Sequence, residues 1–507
     1  MGIDVGTSST KALLVDGLGE VLASARAEYP MYRPHPGWAE NDPDDWLRAV
    51  VSVVSELLKK SQVSANGIRG LCIVAQRDPL VFLDKQYRVL RPSISWIDKR
   101  DLDETEAVYD RFGRARLLQT CGLVPIPGVA LPVIEWVRKH DPQAWRATHQ
   151  ILTTKDYVLF RLTGRIATDT CTPSRTMLYD LRAKQWSDWI CKEAGINVRL
   201  LPPIEAEPWD VWGPLTAEGA DRLGLEQGTT VATGGGDDPS AALGAGAVET
   251  GDVAVGTGTA SCWRIVTNSN EPDPQGRADV APHLVANRYV SELIITGTGS
   301  SLRWFRDTFG ASQGEGDPYE RLIAEAAQAP VGANGLMFFP YLEGARAPHF
   351  IDAASGVFFG LRADHRRSHL IRAILEGIAF QYPPVIDLLH SYTPRMPAKL
   401  TLVDDEAASA LWNQIKADVC ACPIQTLQTR YGAALGAAII ASQAAGTYKT
   451  AAEAVSYMVR QDRVFEPNAR SHAEYESLRG RYGEVFKHLA GAYSAATRPS
   501  TAAQEVA

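Results

Sequence analysis

The chain has 507 residues, 45% of them hydrophobic and 22% charged, with a formal net charge of -8. That length exceeds one simple core and points to two or three domains. The acidic balance, with no long basic run, argues against nucleic acid or anionic membrane as partners, and no apolar run is long enough to span a bilayer. The cysteines are seven, an odd number in a large chain, as expected of reduced thiols in cytoplasm. Cys420 and Cys422 lack a second Cys or His pair at zinc spacing and read as structural.

In chain order, residues 2–16 (GIDVGTSSTKALLVD) read as strand, turn and strand. Glycine in such a turn adds no bulk and tolerates positive φ, so backbone N–H groups can converge on an anion, with Thr and Ser hydroxyls as further donors. A third strand follows over 20–27. A helix is then expected, with Asp42 as N-cap and Pro43 at its first position. Trp46, Val50, Val53, Val54, Leu57 and Leu58 share one of its faces. A short buried strand over 71–74 ends in Gln76-Arg77-Asp78. Polar groups at the end of a buried strand are either a binding site or a solvated turn. Another strand, 229–233, runs into Gly234-Gly235-Gly236-Asp237-Asp238.

The second half begins near residue 245 and repeats the opening unit at 252–266 (DVAVGTGTASCWRIV). A lone Gly-Thr turn also joins plain hairpins. Two in equivalent places suggest a duplicated architecture with a polyphosphate held between the halves. The copies differ in that Asp4 of the first stands where the second has Ala254, so only the first brings the carboxylate a magnesium site needs. Helices are expected over 301–309, 366–382 and 408–420, and a small-residue helix suited to close packing over 433–445. The Ala/Ser/Thr-rich tail over 491–507 is expected to be disordered. Alternating strands and helices give an α/β class. The chain has no GxxxxGK[ST] and no convincing strand–GxGxxG–helix unit, so neither a P-loop protein nor a Rossmann dehydrogenase is expected.

GVFFGLRADHRRSHLIRAILE at 356–376 resembles the C-terminal signature of the FGGY family of carbohydrate kinases, with PYLEGARAPH at 340–349 before it as in xylulokinase-like members. GIDVGTSSTKALL, NDPDDW, ISWIDKR, GGGDD, VGTGTAS and LRWFRD resemble further family blocks in family order. The resemblance extends over nearly the whole chain. It implies two domains of the actin-like ATPase (ribonuclease H-like) fold, 1–244 binding sugar and 245–490 binding nucleotide, flanking a deep cleft. It also implies transfer of the γ-phosphoryl group of ATP to a hydroxyl of a sugar or polyol in the cytoplasm, and, since family members often form dimers, a homodimer.

Phosphoryl transfer needs positioning, charge neutralisation and a group to take the hydroxyl proton. By its place in GGGDD, Asp237 is the implied base, with the three glycines letting the chain approach substrate closely. Asp4 and Asp237 would hold Mg2+. Gly6, Thr7, Ser8, Thr10 and Lys11 would lie near the phosphates, and Gly256, Thr257 and Gly258 would approach the nucleotide from the other domain, which requires domain closure. Gln76, Arg77, Asp78, Trp96, Asp98 and Asp238 would contact sugar.

The chain departs from the xylulokinase pattern in two places. Gln76-Arg77-Asp78-Pro79 stands where xylulokinases usually carry Gln-Met-His-Gly, and looks more like glycerol kinases. Asp404-Asp405-Glu406 stands where the family's adenosine block commonly has three glycines, and Arg430-Tyr431-Gly432 replaces the usual start of the next helix. Asp404 and Asp405 would either repel the polyanion or accept hydrogen bonds from ribose hydroxyls. A ketopentose such as D-xylulose leads as substrate. A glycerol- or gluconate-type kinase, or a non-catalytic sugar-binding or regulatory protein with a degenerate adenosine site, stays open.

Overall fold

The computed structural model describes residues 1–310, 315–389 and 397–496. The chain forms two compact α/β units, each with a mixed sheet. The first comprises Met1–Thr250, Arg264–Glu292 and Tyr431–Arg460; the second comprises Gly251–Trp263, Leu293–Arg430 and Gln461–Ala507.

In the first unit the strands run in the order Val211–Pro214, Thr230–Ala232, Gly70–Ala75, Gly2–Val5, Ser9–Val15, Val21–Glu28. Gly2–Val5 and Thr230–Ala232 flank Gly70–Ala75 in parallel, while the remaining pairs are antiparallel. Side chains alternate across the sheet. Ile3 and Val5 join Leu71 and Ile73 under the helix Pro43–Ser61, whose Trp46, Val50, Val53, Val54 and Leu57 are buried there. Asp42 caps that helix by accepting the Asp44 N–H at 3.0 Å, with Pro43 at its start, as the sequence indicates.

Leu13, Cys72 and Val74 face the other side, under the helix Gly432–Ala444. The compact unit is therefore discontinuous in sequence. The small-residue helix comes from late in the chain, yet it packs on the first sheet and on the helix Asp237–Gly244. Its backbone comes so close that a Cβ on Gly436 would lie 2.0 Å from the Ser240 carbonyl oxygen. Only glycine permits that approach.

In the second unit Val253–Thr257, Leu400–Val403 and Ile424–Leu427 run parallel, and Gln461–Phe465 adds antiparallel at the edge. Its core gathers the helices Gly299–Phe309, Pro318–Ala326, Arg367–Ala379, Ala410–Cys420 and Ala469–Ala496. The single helix expected over 366–382 is two, Arg367–Ala379 and Tyr382–Leu389. Pro383 and Pro384 lack the N–H a helix interior needs, but fit the first turn of a new helix. Residues 491–496, assigned from sequence to a tail, continue the helix Ala469–Ala496, and 497–507 lie outside the described residues. No described helix is long and apolar enough to cross a membrane, and the cysteines form no disulfide among the described residues.

Candidate active site

The strand Gly70–Ala75 delivers Gln76, Arg77 and Asp78 at its end, beside the start of the helix Asp237–Gly244. Arg77 is buried. Its Nη2 donates to Glu292 Oε2 at 2.6 Å and to Asp238 Oδ2 at 3.2 Å, and its Nε lies 3.8 Å from Asp237 Oδ1. Of the glycines before Asp237, Gly236 serves this cluster: a Cβ there would stand 2.2 Å from Arg77 Cδ, whereas one on Gly234 would stand 2.2 Å from the Ile73 carbonyl oxygen.

Asp237 and Asp238 are neighbours in opposite electrostatic states. Burial, the Asp238 charge and the Asp4 charge hold the Asp237 carboxyl well above the usual range, and Arg77 offsets only part of this. Burial also works against the charged form of Asp238, but Arg264 and Arg77 outweigh it and hold this carboxyl low. Arg264 donates to Asp238 Oδ1 through Nε at 2.8 Å and through Nη2 at 2.5 Å. Two carboxyls pushed apart in proton affinity form an acid–base arrangement. Asp237 keeps 31% of its side chain exposed, so it is also reachable.

Gln76 is almost fully buried, and neither end of its side-chain amide has a hydrogen-bond partner among the described residues. Such an amide is costly unless a ligand satisfies it. Asp78 is buried and engaged, accepting from Arg175 Nε at 3.2 Å, while Arg175 also grips Asp279. Asp98 departs from its expected role. It is fully buried, with Oδ2 accepting the Ala39 N–H at 2.5 Å and Arg100 Nη2 at 2.8 Å, and Oδ1 accepting Arg100 Nε at 2.9 Å. Its oxygens are spent on the loop, so it organises structure rather than meeting sugar. Trp96, by contrast, is 40% exposed and donates its indole N–H to Thr7 Oγ1 at 2.9 Å.

In the turn after Gly2–Val5, Gly6 and Thr7 are half-buried and Ser8 is exposed. The Tyr29 hydroxyl donates to the Gly6 carbonyl from beneath. Thr10 is fully buried beside the Tyr29 phenol, because it alternates with Lys11 along its strand. Lys11 pairs in register with Asp4, and its ammonium lies 5.7 Å from the centre of the Tyr431 ring. Asp4 is buried on the same side of the sheet, near enough for its charge to act on Asp237 and Tyr29.

In the second unit Gly256 pairs with Val403, and Thr257 ends its strand. Gly258 borders open space, and its carbonyl accepts the Gly299 N–H at 3.0 Å. Asp404 follows strand Leu400–Val403 with φ of 70°, the left-handed conformation that favours glycine. Its N–H donates to the Arg430 carbonyl at 3.1 Å. The backbone shape expected of a glycine block thus persists with a carboxylate on it. The side chains of Thr257 and Asp405 lie outside the described residues.

Tyr29, Arg175, Arg264 and Glu292 were not singled out from the sequence. Arg264 and Glu292 carried a signal, as charged residues in the strands Ser261–Thr267 and Tyr289–Ile295, which are otherwise mostly apolar. Such charges need partners when buried.

Two family models match the chain: the N-terminal domain of the FGGY family of carbohydrate kinases over residues 1–244, and its C-terminal domain over 253–445. A xylulose kinase from Bacillus subtilis (strain 168) is 32% identical over 488 residues, covering 96% of each chain. A gluconokinase from the same organism is 26% identical over 504 residues, covering 97% of this chain and 96% of that one. The crystal structure of xylulose kinase from Rhodospirillum rubrum superposes with a TM-score of 0.88 at 30% identity, covering 97% of this chain and 99% of that one.

Proposed function

The chain belongs to the FGGY family of carbohydrate kinases, phosphotransferases with an alcohol acceptor, and from that premise we propose that it phosphorylates a ketopentose such as D-xylulose. The observation that carries the reading is the Asp237–Asp238 pair over buried Arg77, with the orphaned amide of Gln76 alongside. Kinases of this family use ATP. The sugar hydroxyl oxygen attacks the γ-phosphorus, the bond to the β–γ bridging oxygen breaks, and ADP leaves. Asp237 accepts the hydroxyl proton as the new bond forms. Asp238, held charged by Arg264 and Arg77, accepts a hydrogen bond from a neighbouring hydroxyl, and Gln76 satisfies its amide on another.

The residues present fit Mg2+. The Asp4 charge adds to the cost of ionising Asp237, which a divalent cation would relieve; among the described residues no group of three or more His, Cys, Asp or Glu side chains could hold a metal. One or two carboxylates completed by water and phosphate oxygens are what this ion usually takes. Bound there, it would neutralise phosphate charge. The Gly6–Ser8 turn would hold phosphates, and Gly256, Thr257, Gly258 and Asp404 would contact nucleotide.

Xylulose leads because the 32% and 30% identical relatives are xylulose kinases. A gluconate substrate is the second reading, motivated by the 26% identical gluconokinase. ADP release from Mg-ATP across D-xylulose, D-ribulose, gluconate and glycerol decides between them. Strong preference for a ketopentose supports the proposal; preference for gluconate or glycerol replaces it. No turnover with any, together with no Mg-ATP binding by calorimetry, would favour a non-catalytic role.

A further inference from the structure

We propose that Trp96 is a positioning residue for Thr7, orienting the Thr7 hydroxyl as a donor toward a phosphate oxygen. The proposal rests on reading the Gly6–Ser8 turn as a phosphate loop, and it adds a physical link between the sugar end and the phosphate end of that site.

The argument starts from hydrogen-bond valence. An indole N–H can only donate, whereas a threonine hydroxyl both donates and accepts. With Trp96 Nε1 at 2.9 Å from Thr7 Oγ1, the threonine oxygen is the acceptor. Its own proton therefore cannot point at the indole and turns to another acceptor. An isolated hydroxyl would rotate among partners; one whose lone pair is claimed has fewer orientations left. On a turn half open to solvent, the orientation left is that of a donor, which is what an anion requires.

The indole is itself held. Ser95 is fully buried and its N–H donates to the Ala39 carbonyl at 2.9 Å, while the Asp98 N–H closes the turn onto Ser95 at 3.0 Å. The saturated Asp98 carboxylate ties the same loop to Ala39 and Arg100. Behind Trp96, Gly128 has φ of 86°, and a Cβ there would sit 2.4 Å from the Trp96 carbonyl oxygen. This rigid backing gives Asp98 its purpose: it aims Trp96 without touching substrate. The indole ring stays 40% exposed, a large apolar face left for a sugar. One side chain thus offers its face to the sugar and its N–H to the phosphate turn.

The test is a double-mutant cycle with Trp96→Phe and Thr7→Val, measuring kcat and the KM of both substrates on the full chain with Mg-ATP. Phenylalanine keeps an aromatic face and loses the N–H; valine keeps the shape of threonine and loses the hydroxyl. Thermal melts of each variant confirm folding. The expected result is that Trp96→Phe lowers kcat about tenfold in the Thr7 background, shifts the sugar KM by less than that, and has little effect on kcat in the Thr7→Val background. An equal kcat loss in both backgrounds, or a rise in sugar KM with kcat unchanged, would overturn it. Wild-type kcat and nucleotide KM in Thr7→Val would instead remove the phosphate reading of the turn, and the proposal with it.

Discussion

Arg77 and Arg372 are both buried guanidiniums facing carboxylates, one in each unit, and they are wired differently. Arg372 donates to Glu376 Oε1 at 2.7 Å and to the Tyr475 hydroxyl at 2.7 Å, while that hydroxyl and the Gly332 N–H also donate to Glu376 Oε1, at 2.9 and 3.0 Å. The network is closed. Around Arg77, one guanidinium nitrogen, Glu292 Oε1 and the Gln76 amide have no partner among the described residues, and the guanidinium approaches Asp237 only to 3.8 Å, Asp237 Oδ1 accepting the Asp238 N–H instead. A saturated cluster spends its charge on the fold; an unsaturated one keeps hydrogen-bonding capacity for something that arrives.

The sharpest way to break this contrast is to cut the closed network. Arg372→Met leaves the Glu376 charge buried without its cation and should cost about 3–5 kcal/mol in denaturant unfolding, with kcat of the folded fraction unchanged. A stable variant with lost activity would move Arg372 to the functional side. Gln76→Leu probes the open network. It should raise the sugar KM roughly 10-fold or more and leave the melting temperature level or higher, since an unsatisfied amide is removed. A lower melting temperature would make Gln76 a structural residue.

Asp42→Ala lies outside both clusters and calibrates them. Losing the cap of helix Pro43–Ser61 should cost about 1 kcal/mol with kinetics intact. The smallest effect is a pH signature. The Asp237 carboxyl is raised in the folded chain, so the folded state holds that proton after the unfolded state has lost it, and stability falls as pH rises from the ordinary aspartate range through the raised value. In metal-free buffer, Asp237→Asn should therefore match wild type in stability below about pH 4 and exceed it above the raised value. Parallel stability curves would contradict the shift.

Much of this contrast was legible in the sequence on one side only. The Gly-Thr turns, Asp42-Pro43, the apolar face of the first helix and GGGDD are local patterns, and each appears where the residues place it. A motif fixes position but not direction, as Asp98 and Thr10 show. Whether Asp98 faces sugar or Ala39 depends on the loop packed against it, and Thr10 is turned inward by strand alternation. Arg264 and Glu292 escaped because their partners, Asp238 and Arg77, are distant in sequence. The assignment of Gly432–Ala444 to the first unit was equally non-local, although its small residues announced close packing. Of the closed network, Arg372 and Glu376 lie inside the signature at 356–376, but nothing local pointed to their partner Tyr475, about a hundred residues later.

The measurement closest to the central claim compares Asp237→Asn with wild type in one preparation, following ADP release with the preferred sugar and sugar binding by calorimetry. The account predicts turnover reduced by roughly 100-fold or more, with sugar affinity retained. Wild-type turnover in Asp237→Asn would contradict the role of Asp237 as the base and, with it, the division between a working cluster and a structural one.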